Sequence, residues 1–476
     1  MKIDWCSCDG TGFERAQRKA NEYPTANTQE LQPVNENPRI AGTPMLSRRQ
    51  LLWGSALSAT SFAAAGRSAL ANVSVRPGGH KAAQSTSPNV LVTIFLRGGA
   101  DGLNIVVPYG EDAYYRNRQT IGIAAPNDKR QTQRALKLDE FFGLHPALSA
   151  LQPLYGNGSL TFVHACGSGD QTRSHFEAMS TMESGAKDER SDSASGWLAR
   201  HLASTQARTN SPLRAVAFSS VMPDVLRGAT DATALNSLDD FHLHRPRSSP
   251  SSTSMGEQHE EGMHQALMQM YADGHDEITQ AGRETLSVLK TLNRLAPQQY
   301  QPAGGAAYPE TDLGNGLRQV ACLIKADVGL EVACLDRGGW DTHIAQGGTD
   351  GWMAQQLNDM GQSLAAFTRD MDKQMRHVTV VVMTEFGRRL QENSGLGTDH
   401  GRAGVMMLLG GGVRGGQVFT RWPGLEDDQL EAPGDLRSTT DYRDVLAEVL
   451  AKRLHNNRLE GVFLKHYPRF CRLLNA

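Results

Sequence analysis

Val90-Leu91-Val92-Thr93-Ile94-Phe95-Leu96 is a continuous apolar run rich in β-branched residues, and it stops abruptly at Arg97-Gly98-Gly99. Such a run, with no alternation of polar and apolar positions, suits a strand buried on both faces. Similar runs occupy 160–165, 330–335, 378–383 and 405–409, and the last ends in Gly410-Gly411-Gly412. Helical patterns lie between them. Leu357, Met360, Leu364, Phe367 and Met371 share one face of a predicted helix. Another helix is expected from Ser174, and a capped closing helix around Asp441. Strands alternating with helices predict an α/β fold with a mostly parallel sheet sandwiched by helices.

Residues 186–310 have a different texture. Positions 245–256 are rich in Ser, Pro and Arg and read as a loop. Positions 257–295 are mostly helical in pattern, with Met263, Leu267, Met270, Ile278, Leu286 and Leu289 as apolar anchors. The whole segment reads as a mainly helical insertion, or cap, on the α/β core. No internal repeat is visible.

Before the first strand, Ser47-Arg48-Arg49 precedes an apolar stretch from Leu51 to Ala65, and Ala69-Leu70-Ala71 follows. Basic, apolar and small-residue regions in that order predict a twin-arginine export signal over 45–71. The alternative is a short buried helix behind a basic loop. With the signal, the twin-arginine translocase is the export partner and the protein is periplasmic or secreted. Residues 72–88 are then a linker and 89–476 the folded domain. Residues 1–44 are polar and unpatterned, either a disordered extension or a mis-called start ahead of Met45.

A net charge of −3 argues against a nucleic-acid partner. No apolar run outside the signal is long enough to anchor the chain in a bilayer. Cys166, Cys322, Cys334 and Cys471 follow the signal and form no C-x-x-C pair, which excludes zinc-ribbon and thioredoxin readings. Export would allow a disulfide between two of them.

Polar residues gather where the apolar runs end, the place where open α/β sheets bind ligands. Asp101 follows the first run, either beside a ligand or as a turn aspartate bonding its own backbone. Ser174 stands at a helix start, where the dipole favours an anionic nucleophile. With Glu177 three residues on, it also reads as a capping box. Asp341 and His343 point to one side of an extended chain and suit a cation, or form a surface pair. Glu385 ends the most apolar run, and His400 precedes the next. Such a pair can share a metal. Arg388 and Arg402 beside them match a phosphate or sulfate group, or are solvated loop charges.

Five motifs carry a family resemblance from about Val90 onward. They are Phe95-Leu96-Arg97-Gly98-Gly99-Ala100-Asp101-Gly102-Leu103-Asn104, Arg173-Ser174-His175-Phe176-Glu177-Ala178, Gly339-Trp340-Asp341-Thr342-His343, Thr384-Glu385-Phe386-Gly387-Arg388, and Gly397-Thr398-Asp399-His400-Gly401-Arg402. The chain resembles the DUF1501 family of twin-arginine-exported bacterial proteins, which looks related to the alkaline phosphatase and sulfatase superfamily. The resemblance implies an alkaline phosphatase-like domain that hydrolyses phosphate or sulfate esters. Ser174 would be the nucleophile. Asp101, Asp341, His343, Glu385, Asp399 and His400 would be metal ligands. Asn104, Arg173, Arg388 and Arg402 would contact the anionic ester.

Two departures matter. Asp341-Thr342-His343 replaces the superfamily's wider Asp/His spacing, and Glu385-Phe386 stands where an Asp-His step is usual, so one metal subsite loses a ligand. The divalent metal is therefore left open among zinc, calcium and magnesium. A non-catalytic periplasmic binding protein with a degenerate metal site is the alternative function.

Overall fold

The computed structural model describes residues 89–186, 195–208, 211–238, 262–263, 265–271, 276–295 and 297–475. Residues 45–71, read as an export signal, 72–88, read as a linker, and 245–256, read as a loop, fall outside the described residues.

Nine strands form one sheet. In chain order they are β1 (Val90–Leu96), β2 (Leu160–Gly167), β3 (Ala215–Phe218), β4 (Ala232–Leu235), β5 (Val332–Arg337), β6 (Val378–Thr384), β9 (Gly404–Gly410), β10 (Val418–Phe419) and β11 (Thr440–Asp441). A separate hairpin, β7 (Arg388–Glu392) with β8 (Thr398–His400), lies between β6 and β9. The spatial order is β10-β2-β9-β6-β1-β5-β3-β4, with β11 also on β2. All neighbours are parallel except β9, which runs antiparallel to both β2 and β6. The expected α/β fold is present.

Every residue of β1 is buried. Val90, Val92, Ile94 and Leu96 pack into one core layer with helices α4 (Asp312–Lys325) and α5 (Trp352–Met371). Leu91 and Phe95 face the opposite layer with α2 (Trp197–Ser204) and α6 (Tyr442–Arg453). Two covered faces are the physical reason that the strand lacks alternation. Asp441 caps α6 by accepting from the Arg443 amide.

The middle segment differs from the expectation. The described residues of 186–310 are not all helical and do not all lie off the sheet. They supply β3 and β4, which extend the sheet beyond β5, and α2, which is buried against it. The two strands read Ala-Val-Ala-Phe and Ala-Thr-Ala-Leu. Four alanine-rich residues carry little β signal, and tertiary pairing decides their state. Helix α3 (Glu277–Leu295) buries Leu286 and Leu289 as expected, whereas Met263 and Met270 are exposed. No disulfide joins Cys166, Cys322, Cys334 or Cys471, and all four are buried. No helix among the described residues is long and apolar enough to cross a membrane.

The direction of β9 sets the site. Parallel strands β1, β2, β5 and β6 all end at one edge of the sheet. Because β9 runs the other way, its leading segment, including His400, starts at that same edge. Residues far apart in sequence meet there.

Candidate metal centre

Glu385 follows β6 and is fully buried. Its Oε1 accepts from the Gly98 amide at 2.7 Å and from His175 Nδ1 at 2.8 Å, while Oε2 accepts from the Thr384 hydroxyl at 3.0 Å. Burial alone would raise its pKa. The hydrogen bonds, led by that from His175, outweigh burial and hold it below the usual carboxylate range. Gly98 must be glycine here, because its φ is +123° and a Cβ would lie 2.4 Å from the Asp341 amide nitrogen.

A carboxylate can only accept, so His175 carries a proton on Nδ1, and in the neutral ring Nε2 keeps a lone pair; the bond to Glu385 outweighs burial and raises the pKa of this imidazole. That Nε2 is buried without a hydrogen-bond partner, 3.4 Å from Asp341 Oδ2. His400 repeats the arrangement. Its Nδ1 donates to the Arg173 carbonyl at 2.9 Å, so its Nε2 is also unprotonated. His343 does so a third time, with Nδ1 at 3.3 Å from Asp399 Oδ1. The Nε2 atoms of His343 and His400 are 2.9 Å apart, and they lie 3.2 and 3.3 Å from Asp341 Oδ1. Donor atoms of His175, Asp341 and His400 all fall within 4.8 Å of one another.

Three lone pairs and a carboxylate turned toward one point repel each other unless a proton or a cation lies among them. Each histidine has an acceptor behind its far nitrogen, the usual support for a metal-binding imidazole. His175, Asp341 and His400 thus form a candidate metal-binding group, and His343 adjoins it. Asp341 stays ionised: burial raises its pKa, but the bond from Arg388 leads the interactions that overcome burial and hold it at about 2. The side chain of Asp341 is 50% exposed, so the centre opens to solvent.

The rest of the sequence expectation sorts by what each side chain touches. Asp341 and His400 fall in the candidate group with His175, and His343 lies beside it. Glu385 and Asp399 lie behind His175 and His343 and orient them instead of facing the common point. Asp101 is not in the group. Its two oxygens are held by Arg118 at 2.5 and 3.0 Å, and Gln346 donates to Oδ2 at 2.7 Å.

The expected substrate contacts are corrected too. Asn104 is fully buried, bonded to Tyr114, Arg118 and the Ile121 carbonyl. Arg388 is buried, and its guanidinium donates to Asp341 and to the carbonyls of Gly98, Gly99, Trp340 and Thr398. Arg402 pairs with Glu431 at 3.1 Å, and Arg173 with Asp435. The Arg388 guanidinium is surrounded by acceptors in the protein and is not free to grip an ester, whereas Arg402 keeps an Nε that no acceptor among the described residues meets.

Ser174 is the N-cap of α1 (His175–Ser184), half-buried, and its hydroxyl makes no capping bond, so the capping box is not formed. His175 was the residue that sequence reasoning missed as a ligand. The signal was present: it opens a helix directly after a strand-end loop. Residues 89–458 match the model of a family described as a protein of unknown function (DUF1501). No curated protein matches the chain.

Proposed function

Because the chain belongs to the DUF1501 family, whose description assigns no activity, we propose a function from the site itself: a metal-dependent hydrolase of phosphate or sulfate esters, exported by the twin-arginine route and related to alkaline phosphatases and sulfatases. The observation that carries it is the convergence of His175, His400 and the ionised Asp341 carboxylate, with His343 Nε2 beside them at 2.9 Å from His400.

His175, His343, His400 and Asp341 would hold one divalent cation. Three imidazoles and one carboxylate suit zinc or a neighbouring transition metal. Calcium and magnesium prefer shells of oxygen donors. When bound, the cation supplies Lewis-acid polarisation of the ester and favours an ionised nucleophile.

The protein's own residues do the rest. Ser174 offers a hydroxyl that is not used for capping, at the start of a ten-residue helix, one position before His175. Its Oγ forms a bond to phosphorus or sulfur as the alcohol leaves, and water then displaces the serine. Glu385 holds the His175 proton on Nδ1 and keeps Nε2 turned inward. Arg388 holds Asp341 ionised and fixes it against the Gly98 turn.

The test uses purified protein, assayed for bound metal and for turnover of aryl phosphates, phosphodiesters and sulfates. Turnover that is lost in Ser174→Ala with metal content unchanged supports the reading. Wild-type protein that binds metal but hydrolyses none of the panel overturns it, in favour of a binding role for the same centre.

A further inference from the structure

Asp435 is fully buried beneath the candidate metal centre. Arg173 donates to its Oδ2 from both Nε, at 2.9 Å, and Nη2, at 2.5 Å, and Nη2 also reaches the Ala432 carbonyl. Arg173 has φ +55°, a left-handed conformation that a residue with a Cβ seldom adopts. The ion pair holds that conformation in place, and the conformation aims the Arg173 carbonyl at His400 Nδ1. The other oxygen of Asp435 faces Arg389 Nε at 3.7 Å. Arg389 Nη1 in turn lies 3.6 Å from Asp399 Oδ2, and Asp399 Oδ1 receives His343 Nδ1. One route from this carboxylate is hydrogen-bonded throughout and ends at His400; the other is ionic, with no hydrogen bond between Asp435 Oδ1 and Arg389 Nε, and ends at His343, whose partner Asp399 is also held by Asn393 at 3.0 Å. His175 stands on a separate support, Glu385.

We propose that Asp435 is a positioning residue of the metal centre, which through Arg173 and Arg389 fixes the acceptors behind His400 and His343. The inference rests on reading the site as a metal centre and needs no assumption about the reaction. It separates the three histidines: loss of the Asp435 charge frees the rings of His400 and His343 and leaves His175 in place.

The experiment compares wild type with Asp435→Asn. Metal-free protein is titrated with Co²⁺, and the ring nitrogens are read by long-range ¹H–¹⁵N NMR. Asp435→Asn is expected to bind Co²⁺ about 10- to 100-fold more weakly, the usual effect of loosening a ligand's support. The ring shifts of His400 and His343 are expected to move while those of His175 stay. Wild-type cobalt affinity with unmoved ring shifts in the variant overturns the inference alone. Wild-type protein that takes up no cobalt overturns the metal reading and the inference together. Should Asp435→Asn fail to fold, Arg389→Gln keeps the Arg173 pair and cuts one route. It is expected to shift His343 only, and movement of His400 without His343 contradicts the proposal.

Discussion

His175 donates its Nδ1 proton to the buried Glu385 across 2.8 Å, so a residue that sequence alone casts as a ligand serves as the support of one. The carboxylate is fully enclosed and accepts from the Gly98 amide as well, which leaves it little freedom to turn toward a cation. Its task is to fix which ring nitrogen carries the proton. Glu385→Gln is therefore expected to weaken metal binding by about 10- to 100-fold without abolishing it. His400→Ala, which removes a donor atom, is expected to lower metal content far more. Elemental analysis after dialysis, followed by competition titration, separates the two. Equal losses in both variants would place Glu385 among the ligands.

Arg388 explains why the carboxylate at the centre stays ionised. Its side chain is buried, and its donors reach four carbonyls and Asp341. Removing one member of a buried charged network leaves the others unpaired, typically at a cost of about 3–5 kcal/mol. Arg388→Met is expected to lower the urea midpoint accordingly and to raise the Asp341 pKa. An arginine that only gripped substrate would leave stability unchanged and raise KM.

Asp101 makes the opposite prediction from a metal ligand. Both partners of the Asp101–Arg118 pair have fully buried side chains, and Gln346 closes the remaining lone pair. Asp101→Asn is expected to destabilise the fold by about 3 kcal/mol or more while leaving metal stoichiometry intact. Loss of bound metal from a folded Asp101→Asn protein would restore Asp101 to the centre.

The sheet was legible because its central strands are covered on both faces and so are written as unbroken β-branched runs. The position of the site was legible for a related reason: the parallel runs end in glycine or charge at one edge. The roles within the site were not. A strand end fixes where a backbone stops and leaves open which side chain faces a common point, so Glu385 and His175 could be exchanged on paper. Asp101 follows the turn alternative, accepting from the Leu103 amide at 3.2 Å; its pair with Arg118 was not legible because that residue lies in an unpatterned segment 17 residues on. Burial of Arg388 has no local signature, since the carbonyls that surround it come from three separate segments, at Gly98-Gly99, Trp340 and Thr398. Strands β3 and β4 escaped notice because alanine carries the same message in a strand as in a helix.

Acid should unfold this protein from an unusually high pH, for a reason remote from the metal centre. His145 and His164 are fully buried, and each uses both ring nitrogens in the neutral form. His164 Nδ1 accepts from the Ala165 amide while Nε2 donates to the Val106 carbonyl. His145 Nδ1 accepts from the Ala147 amide while Nε2 donates to the Gly348 carbonyl. A second proton would have to displace a backbone amide. His201 is buried as well, and its Nδ1 accepts from Asn456. Burial pulls all three pKa values down to about 4, from an unfolded value of about 6.5. Between those limits the unfolded chain binds more protons than the folded one, so stability rises with pH. It is fully present above about pH 6.5 and is withdrawn as pH falls toward 4, at up to about 1.4 kcal/mol per pH unit for each histidine. Urea midpoints measured at pH 7.5, 6 and 5 should therefore fall steadily. His201→Asn should flatten the slope by removing one of the three protons taken up on unfolding. A midpoint that is level from pH 7.5 to 5 would mean that these imidazoles titrate in the folded protein as they do in water.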